Sequence, residues 1–403
     1  MTSSTVVVAI DVGKNEFAFS VTDATRKVLS TAQLGRAMTA PAVRRMVAEI
    51  VRVLPAGAAV KIGIEAAGHY HRPLLDSVLW PAGWEMLELN PGQVGEQRKV
   101  LGKRTIKTDA IDLRAMTELV LAGQGNLRGG GAGLVFGELK AWSAHRTSRV
   151  QIRTALKTQL LGQLDRSFPG LTRALSDVLG TKVGRLVAAE FADPARLAAL
   201  GSSRFITFGG ARGLQIRKPT ADKLVAAARD ALTTRDAAVA RAVLAADLVL
   251  LGDLDTQIDA ASTELARLLP DSPFCPLLTV PGWGPVRVGN YGGALGDPSR
   301  FTSPKQVYRS AGLNPIQYES AGKRRDSKIS REGSVELRRA LIDLGIGLWL
   351  CDPAAKAHAA TLTDRGKKGG VIACAMAHRA NRIAWALIRD QGSYDGARWA
   401  REE

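Results

Sequence analysis

Little in this chain can hold it together except burial. Three cysteines occur in 403 residues, Cys275, Cys351 and Cys374, with no CxxC pair among them, so neither a disulfide framework nor a cysteine zinc site is indicated. They read as buried thiols. Acid is scarce too: 38 Asp and Glu stand against 55 Lys and Arg, a net charge of +17. That excess is hard to explain in a metabolic enzyme of small anions and natural in a polyanion binder, with nucleic acid the first guess and an anionic membrane the second. No apolar run reaches the ~20 residues needed to span a bilayer, and Met1 to Thr5 is polar with neither part of a secretion signal. A cytoplasmic protein is expected, with no membrane partner. What remains is ordinary globular material, 46% hydrophobic and 23% charged, long enough for two or three domains without staples.

The first informative stretch is Val6 to Lys14, VVVAIDVGK. Its β-branched run has the length of a strand buried on both faces, and it delivers Asp11 just before Gly13, where the backbone can turn. Asp11 is then either a turn aspartate capping the strand or a carboxylate serving a metal, a phosphate-bearing ligand or a base role. Glu16 to Asp23 alternates like a second strand, and KVLSTAQL follows as the third of an antiparallel meander. Ala42, Val43, Met46, Val47, Ile50, Val51 and Leu54 fall at helical spacing. KIGIEAAG is another buried strand ending in an acid, Glu65, and WEMLELN is a further strand closed by Asn90-Pro91-Gly92. His69 and His71 follow Glu65 closely enough to touch substrate or to order the acids.

KVLGKRTIKTDAIDLRAMTELVLAG begins basic and becomes a helix, with Thr108 as N-cap, Asp109 and Asp112 toward the positive end of its dipole, and Gly123 closing it. Asp109 and Asp112 are one turn apart on one face. Alone they could simply complement the helix start. As a set, however, Asp11, Glu65, Asp109 and Asp112 are four acids at the edges of apolar elements in one α/β segment. A phosphoryl-transfer site with two Mg²⁺ ions ~4 Å apart needs such a set of hard oxygen donors. Lys103, Arg104 and Lys107 would offset the charge of an approaching phosphate backbone.

AIDVGK, GIEAAGHYH and KTDAIDLRAM together resemble the DEDD transposases of bacterial insertion sequences, the group that includes the Piv DNA invertase and the RNA-guided bridge recombinases. The resemblance implies a RuvC-like, RNase H-like amino-terminal domain whose metal ligands are Asp11, Glu65, Asp109 and Asp112. Mg²⁺, as two ions with Mn²⁺ able to substitute, is the implied cofactor. DNA, both donor and target, is the implied partner, with a noncoding guide RNA from the element itself. Gly13 departs from the small residue, commonly Ser, that the family has there.

Leu139, Trp142, Arg149, Ile152, Leu156, Leu160 and Leu164 form an approximate heptad stripe, with Arg146, Arg153, Lys157 and Arg166 spread around it. A second helical run, Pro219 to Leu269, carries Leu224, Val239, Val243, Leu250, Leu254, Ile258, Leu265 and Leu268. The two runs are expected to pair as an antiparallel coiled coil. That pair is either a bundle core or a stalk that dimerises and tracks phosphates through Arg146, Arg153 and Lys157.

The last third opens on Pro281-Gly-Trp-Gly-Pro285, a glycine turn between helices that could hold a DNA phosphate or simply close a tight loop. RSAGLNP, SAGK and ISREGSVELRRAL then resemble the family's transposase domain. The resemblance implies a nucleophilic serine there, attacking the phosphodiester and leaving a phosphoserine link that keeps its free energy for rejoining. Ser310, Ser320, Ser327, Ser330 and Ser334 are candidates, and Ser320 corresponds best. Lys323, Arg324, Arg325, Lys328 and Arg331 lie around it as nucleic-acid contacts.

The expectation is thus α/β plus all-α. It comprises an RNase H-like mixed-sheet domain over 1–128, a helical coiled-coil region over 134–270 with a small insertion near 193–218, and a helical carboxy-terminal domain over 271–403. The expected activity is metal-dependent DNA cleavage and rejoining by a homo-oligomer, dimer or tetramer, with composite sites and a nucleoid association. A RuvC-like nuclease without covalent intermediate, an actin-like ATPase and a nonenzymatic nucleic-acid binder are the alternatives.

Overall fold

Five consecutive apolar residues leave a strand nowhere to go but between two layers, and Val6, Val7, Val8, Ala9 and Ile10 are all fully buried. The computed structural model describes residues 4–101, 108–128, 134–232, 234–320 and 323–397, and the side chains of 317–327 lie outside that description. Two units divide the chain, Met1–Leu134 and Val135–Glu403.

In the first unit the strands are β1 (Thr5–Val12), β2 (Glu16–Asp23), β3 (Val28–Ala37), β4 (Ala59–Glu65), β5 (Glu85–Leu89) and β6 (Asn126–Arg128). They form one sheet in the order β3-β2-β1-β4-β5-β6. The β1–β3 meander is antiparallel, β4 and β5 run parallel to β1, and β6 returns antiparallel along β5. This is an RNase H-like mixed sheet. Its helices are α1 (Ala40–Val53), α2 (Arg72–Leu75), α3 (Pro91–Val100) and α4 (Asp109–Leu121). Side chains alternate across β1, so Val6, Val8, Ile10 and Val12 pack with Val43, Met46 and Ile50 of α1, while Val7 and Ala9 pack with Leu113, Met116 and Val120 of α4. At Gly63 of β4 an added Cβ would lie 2.6 Å from Val120. The missing side chain lets α4 lie directly on the sheet.

Two elements depart from expectation. Asn90-Pro91-Gly92 closes β5 but also opens α3, with the Asn90 side chain accepting from the Gly92 N–H at 2.8 Å and proline in the first turn. The same triplet serves a turn and a helix start equally well. β6 is three residues long, too short for a periodic signal.

The second unit contains α5 (Leu134–Ser167), α6 (Leu171–Ala174), α7 (Lys182–Glu190), α8 (Pro194–Gly210), α9 (Lys218–Arg229), α10 (Ala237–Leu268), α11 (Pro285–Leu295), α12 (Pro304–Ser310), α13 (Val335–Cys351), α14 (Pro353–Asp364) and α15 (Gly369–Asp390). It also holds a two-stranded antiparallel hairpin, β7 (Pro315–Ser320) and β8 (Lys323–Ile329). α5 and α10 pair in opposite directions: Arg146 donates to Ser262 at 2.8 Å, Arg153 to Asp255 at 2.9 Å, and Thr234 to the Arg166 carbonyl at 2.6 Å. Leu244, Leu251, Leu254, Ile258, Ala261, Leu265 and Leu268 line α10's seam at alternating spacings of three and four, interrupted once by seven.

The facing stripe on α5 differs from the expected one. Leu139, Leu156, Leu160 and Leu164 are buried, but Ile152 is 41% exposed. Between Leu139 and Leu156, Arg146 and Arg153 turn inward to Ser262 and Asp255 of α10, and Arg149 Nε is buried. Arg146 and Arg153, expected to face a phosphate backbone, are thus held within the unit, and Lys157 is half-buried. Burial and neighbouring Arg153 pull the Arg146 guanidinium below its ordinary value, against Asp259 and Asp343. The second expected run is broken between α9 and α10, and Val239, Val243 and Leu250 are exposed. The stretch around 193–218 is helical and joins a cap in which Phe191 meets Phe205 and Phe208 edge-on, at 5.5 and 5.1 Å. The far end of the coil runs into the carboxy-terminal core, where Leu139 and Leu265 pack with Phe274, Trp283, Tyr291, Leu344 and Met376. Cys351 is exposed and Cys275 and Cys374 are half-buried, against the expectation of buried thiols.

Gly63→Val is expected to lower stability by about 1–3 kcal/mol in urea unfolding, since the added atoms must displace α4. A pH effect follows from Asp255. Burial pushes its carboxyl up, but bonds from Arg185 and Arg153 outweigh burial and hold it below its ordinary value near 3.8. Its contribution is therefore complete above that value and is lost as pH falls through the lower folded value. Asp255→Asn is expected to melt earlier than wild type at pH 7, with the gap closing below about pH 3.8 when melts are followed by circular dichroism.

Candidate active site

The last registered pair between β1 and β4 is Ile10 with Ile64, so the next residue on each strand is an acid: Asp11 and Glu65. Neighbouring strands lie about 4.8 Å apart, which brings the two carboxylates side by side. Alternation places both on one face. Val7 and Ala9 point toward α4, as does Gly63 through its contact with Val120, and Asp11 and Glu65 follow them by two residues. Both acids are half-buried and engaged in contacts of their own.

α4 brings the other two acids to the same end. Arg26 grips Glu118 through two bonds of 2.9 Å, and the β2–β3 turn that carries Arg26 is tied to the start of β1 by the Ala24 N–H on the Thr5 carbonyl at 3.0 Å. The later part of α4 therefore lies by the start of β1, and its first turn points toward the end where Asp11 stands. Thr108 caps that turn, accepting from Ile111 at 3.4 Å. Asp109 is exposed, whereas Asp112 is 2% exposed and lies 2.5 Å from Arg98 of α3.

Among the described residues, no three acidic, imidazole or thiol groups are close enough to enclose a metal ion. The chemistry of the donors nevertheless fits one. All four acids offer hard oxygen ligands of the kind Mg²⁺ and Mn²⁺ take, and Asp112 Oδ1 is buried without a hydrogen bond. Arg98 was not legible as part of this site, because Asn90-Pro91-Gly92 reads as a turn closing a strand and nothing in the residues after it marks a helix.

The other residues singled out fall in different places. His71 is 2% exposed and its Nε2 lies 2.9 Å from Glu88. Leu87 and Leu89 face α4, so Glu88 and His71 belong to the opposite face and do not order the acids. His69 is exposed beside Tyr70. Lys103, Arg104 and Lys107 lie outside the described residues.

In the second unit, Ser320 ends β7 and pairs through its backbone with Lys323, one residue on each side of a two-residue connection. The hairpin continues downward through Ser330 on Asn314, Arg331 on Gly312 and Ser334 on Ser310, at 2.8, 3.0 and 2.8 Å. The other serines have structural work. Ser334 caps α13, accepting from Leu337 at 3.1 Å, and Ser330 accepts from Glu332 at 3.4 Å. Ser310 ends α12, and Ser327 lies within β8. Lys323, Arg324 and Arg325 sit on β8, while Lys328 and Arg331 are exposed.

The glycine turn at 281–285 is a clamp on α13. Trp283 is 1% exposed, its indole N–H donates to the Leu344 carbonyl at 2.8 Å, and Gly282 at φ +81° presses on Gly347. Arg287 closes the clamp by donating to the Gly282 carbonyl at 2.9 Å.

Comparison with known proteins gives two family matches. Residues 8–169 match a transposase model of the IS110 DEDD type, and residues 276–360 match the transposase IS116/IS110/IS902 family. The chain is similar to the transposase for insertion sequence element IS1328 of Yersinia enterocolitica, 30% identical over 35% of this chain and 43% of that protein. It is also similar to a probable family 20 transposase of Pseudomonas aeruginosa, 29% identical over 36% of this chain and 46% of the relative. An uncharacterized 42 kDa protein of insertion element IS900 in Mycobacterium paratuberculosis is 25% identical over 63% of this chain and 62% of its own length. The match thus spans less than half the length of the first two relatives.

If Ser334 acts as a cap, Ser334→Ala should cost about 1 kcal/mol of stability in urea unfolding, and Ser334→Asp should restore most of it.

Proposed function

The chain belongs to the DEDD transposases of insertion sequences of the IS110 and IS116 kind, and from that premise we propose that it is the recombinase of a mobile element, cutting and rejoining DNA. One observation carries the reading: Asp11, Glu65 and the α4 start with Asp109 and Asp112 share one face at one end of an RNase H-like sheet, within the stretch that matches the family.

In this reading the four acids hold two Mg²⁺ ions, with Mn²⁺ able to replace them. When bound, such ions offset the charge that gathers on the scissile phosphate and favour an ionised hydroxyl. Ser320, placed where β7 gives way to the hairpin connection, is the nucleophile. Its Oγ loses a proton and bonds to phosphorus, while the bond from phosphorus to a deoxyribose oxygen breaks and that oxygen takes up a proton. The phosphoserine link conserves the phosphodiester for a second DNA hydroxyl to attack, which returns the serine. A nuclease would use water and lose that energy.

Lys103, Arg104, Lys107, Lys323, Arg324, Arg325, Lys328 and Arg331 serve as phosphate contacts in this proposal. Arg146 and Arg153 drop out of that role because α10 already engages them. The net charge of +17 suits a chain that binds DNA together with a noncoding guide RNA, whose base pairing would read the target. Assembly is as a dimer or tetramer on nucleoid DNA in the cytoplasm. Among the described residues no helix is long and apolar enough to cross a membrane.

The test is recombination by purified protein with its element's noncoding RNA, donor and target DNA and Mg²⁺. Wild type should give joined product and a protein–DNA adduct that survives denaturation. Ser320→Ala should melt like wild type yet form no adduct and lose joining by ~10⁴-fold or more, and Asp11→Asn should lose both. Joining at the wild-type rate by Ser320→Ala would sink the covalent mechanism through Ser320, and cleavage by wild type without adduct or joining would leave the nuclease reading.

A further inference from the structure

We propose that Arg98 is a built-in substitute for the metal: its guanidinium neutralises Asp112 in the metal-free protein and gives way when a divalent ion takes the carboxylate. The inference rests on the reading of the four acids as metal ligands.

Asp112 is 2% exposed. An ionised carboxylate buried so far needs a compensating charge, and Arg98, 2.5 Å away, is that charge. The manner of the contact is informative. Arg98 Nε and Asp112 Oδ1 are both buried and neither makes a hydrogen bond, so the two are pressed together by charge with the guanidinium misaligned. A guanidinium that pairs with a carboxylate for structural reasons presents its fork. The same unit supplies the contrast, since Arg26 meets both oxygens of Glu118, with Nε on Oε1 and Nη2 on Oε2, each at 2.9 Å. That pair bonds through both carboxylate oxygens, while Arg98 Nε and Asp112 Oδ1 lie close without a hydrogen bond between them.

Position supports displacement over permanent pairing. Arg98 stands in the last turn of α3, with its side chain 22% exposed, so a route to solvent exists for the guanidinium without unpacking the core. Asp112 has no such freedom on a buried face of α4. A divalent ion and a guanidinium on one carboxylate oxygen repel each other, and the harder cation gains more from oxygen ligands. Arg98 therefore acts as a positioning residue: it holds the Asp112 carboxylate in place by charge, and it sets the affinity threshold that a metal must exceed.

The experiment uses the full chain and Mn²⁺ alone, read by titration calorimetry and by thermal melting with and without the ion. Arg98→Met should melt earlier than wild type in the absence of metal, gain more in melting temperature on adding Mn²⁺, and bind Mn²⁺ on the order of tenfold more tightly. Arg98→Gln, which keeps a polar partner for Asp112 without charge, should show the same gain should the Met variant fail to fold. Arg98→Lys should bind Mn²⁺ as wild type does. Equal or weaker Mn²⁺ binding in the Met and Gln variants overturns the proposal and makes Arg98 a structural partner. Absence of Mn²⁺ binding in wild type and every variant overturns the metal reading of the acids itself, and the role of Arg98 with it.

Discussion

A carboxylate at 2% exposure cannot be buried without a compensating cation, and much of the first unit is arranged around that constraint. α4 must lie flat on the sheet to carry Asp112 to the strand ends, and Gly63 supplies the clearance by leaving room for Val120. Arg26 and Glu118 fix the far end of the helix. α3 supplies the compensating guanidinium. The packing that excludes water from Leu113 and Met116 excludes it from Asp112 as well, so the hydrophobic core and the electrostatics of the site have one cause.

The second unit solves a different problem, which is to carry a hairpin on a rigid support. Leucines close the coil at both ends, while Arg146 and Arg153 cross its middle and donate to Ser262 and Asp255 of α10, with Arg185 of α7 donating to the other oxygen of Asp255. A polar layer of this kind costs stability relative to an apolar seam and fixes register, because a slipped pairing would leave the guanidinium groups buried without acceptors. Register then determines where Leu139 and Leu265 enter the carboxy-terminal core. From that core Trp283 clamps α13, Ser334 caps it, and the backbone ladder from Ser334 to Asn314 leads into the hairpin that bears Ser320.

Sequence periodicity exposed what is repetitive. The buried run of β1, the alternation of β2, the apolar face of α1 and the capped start of α4 were all legible because each is a local response to burial or to an orphan N–H. α3 and the hairpin were not. Asn90-Pro91-Gly92 is compatible with a turn and with a helix start, and what decides is whether the following residues have a surface to pack on, which here is α4. Arginines at seam positions were misread as a surface stripe, since a charged residue at heptad spacing becomes interior only when a partner helix offers acceptors at the matching height. Ile152 was misread for the complementary reason.

By itself the sequence determined the residue types and their local setting: two largely apolar strands each ending in an acid, two more acids one turn apart at a capped helix start, a basic excess, and a serine two residues before a glycine. Those follow from short-range rules, so they could be read one segment at a time. Only the tertiary structure decided that Asp11 and Glu65 are neighbours across a parallel pair, that α4 runs back along β1 to bring Asp112 to the same face, and that Arg98 lies against it. Those relations depend on strand register, helix direction and close approach at Gly63, quantities set by how elements bury one another rather than by any one stretch of chain.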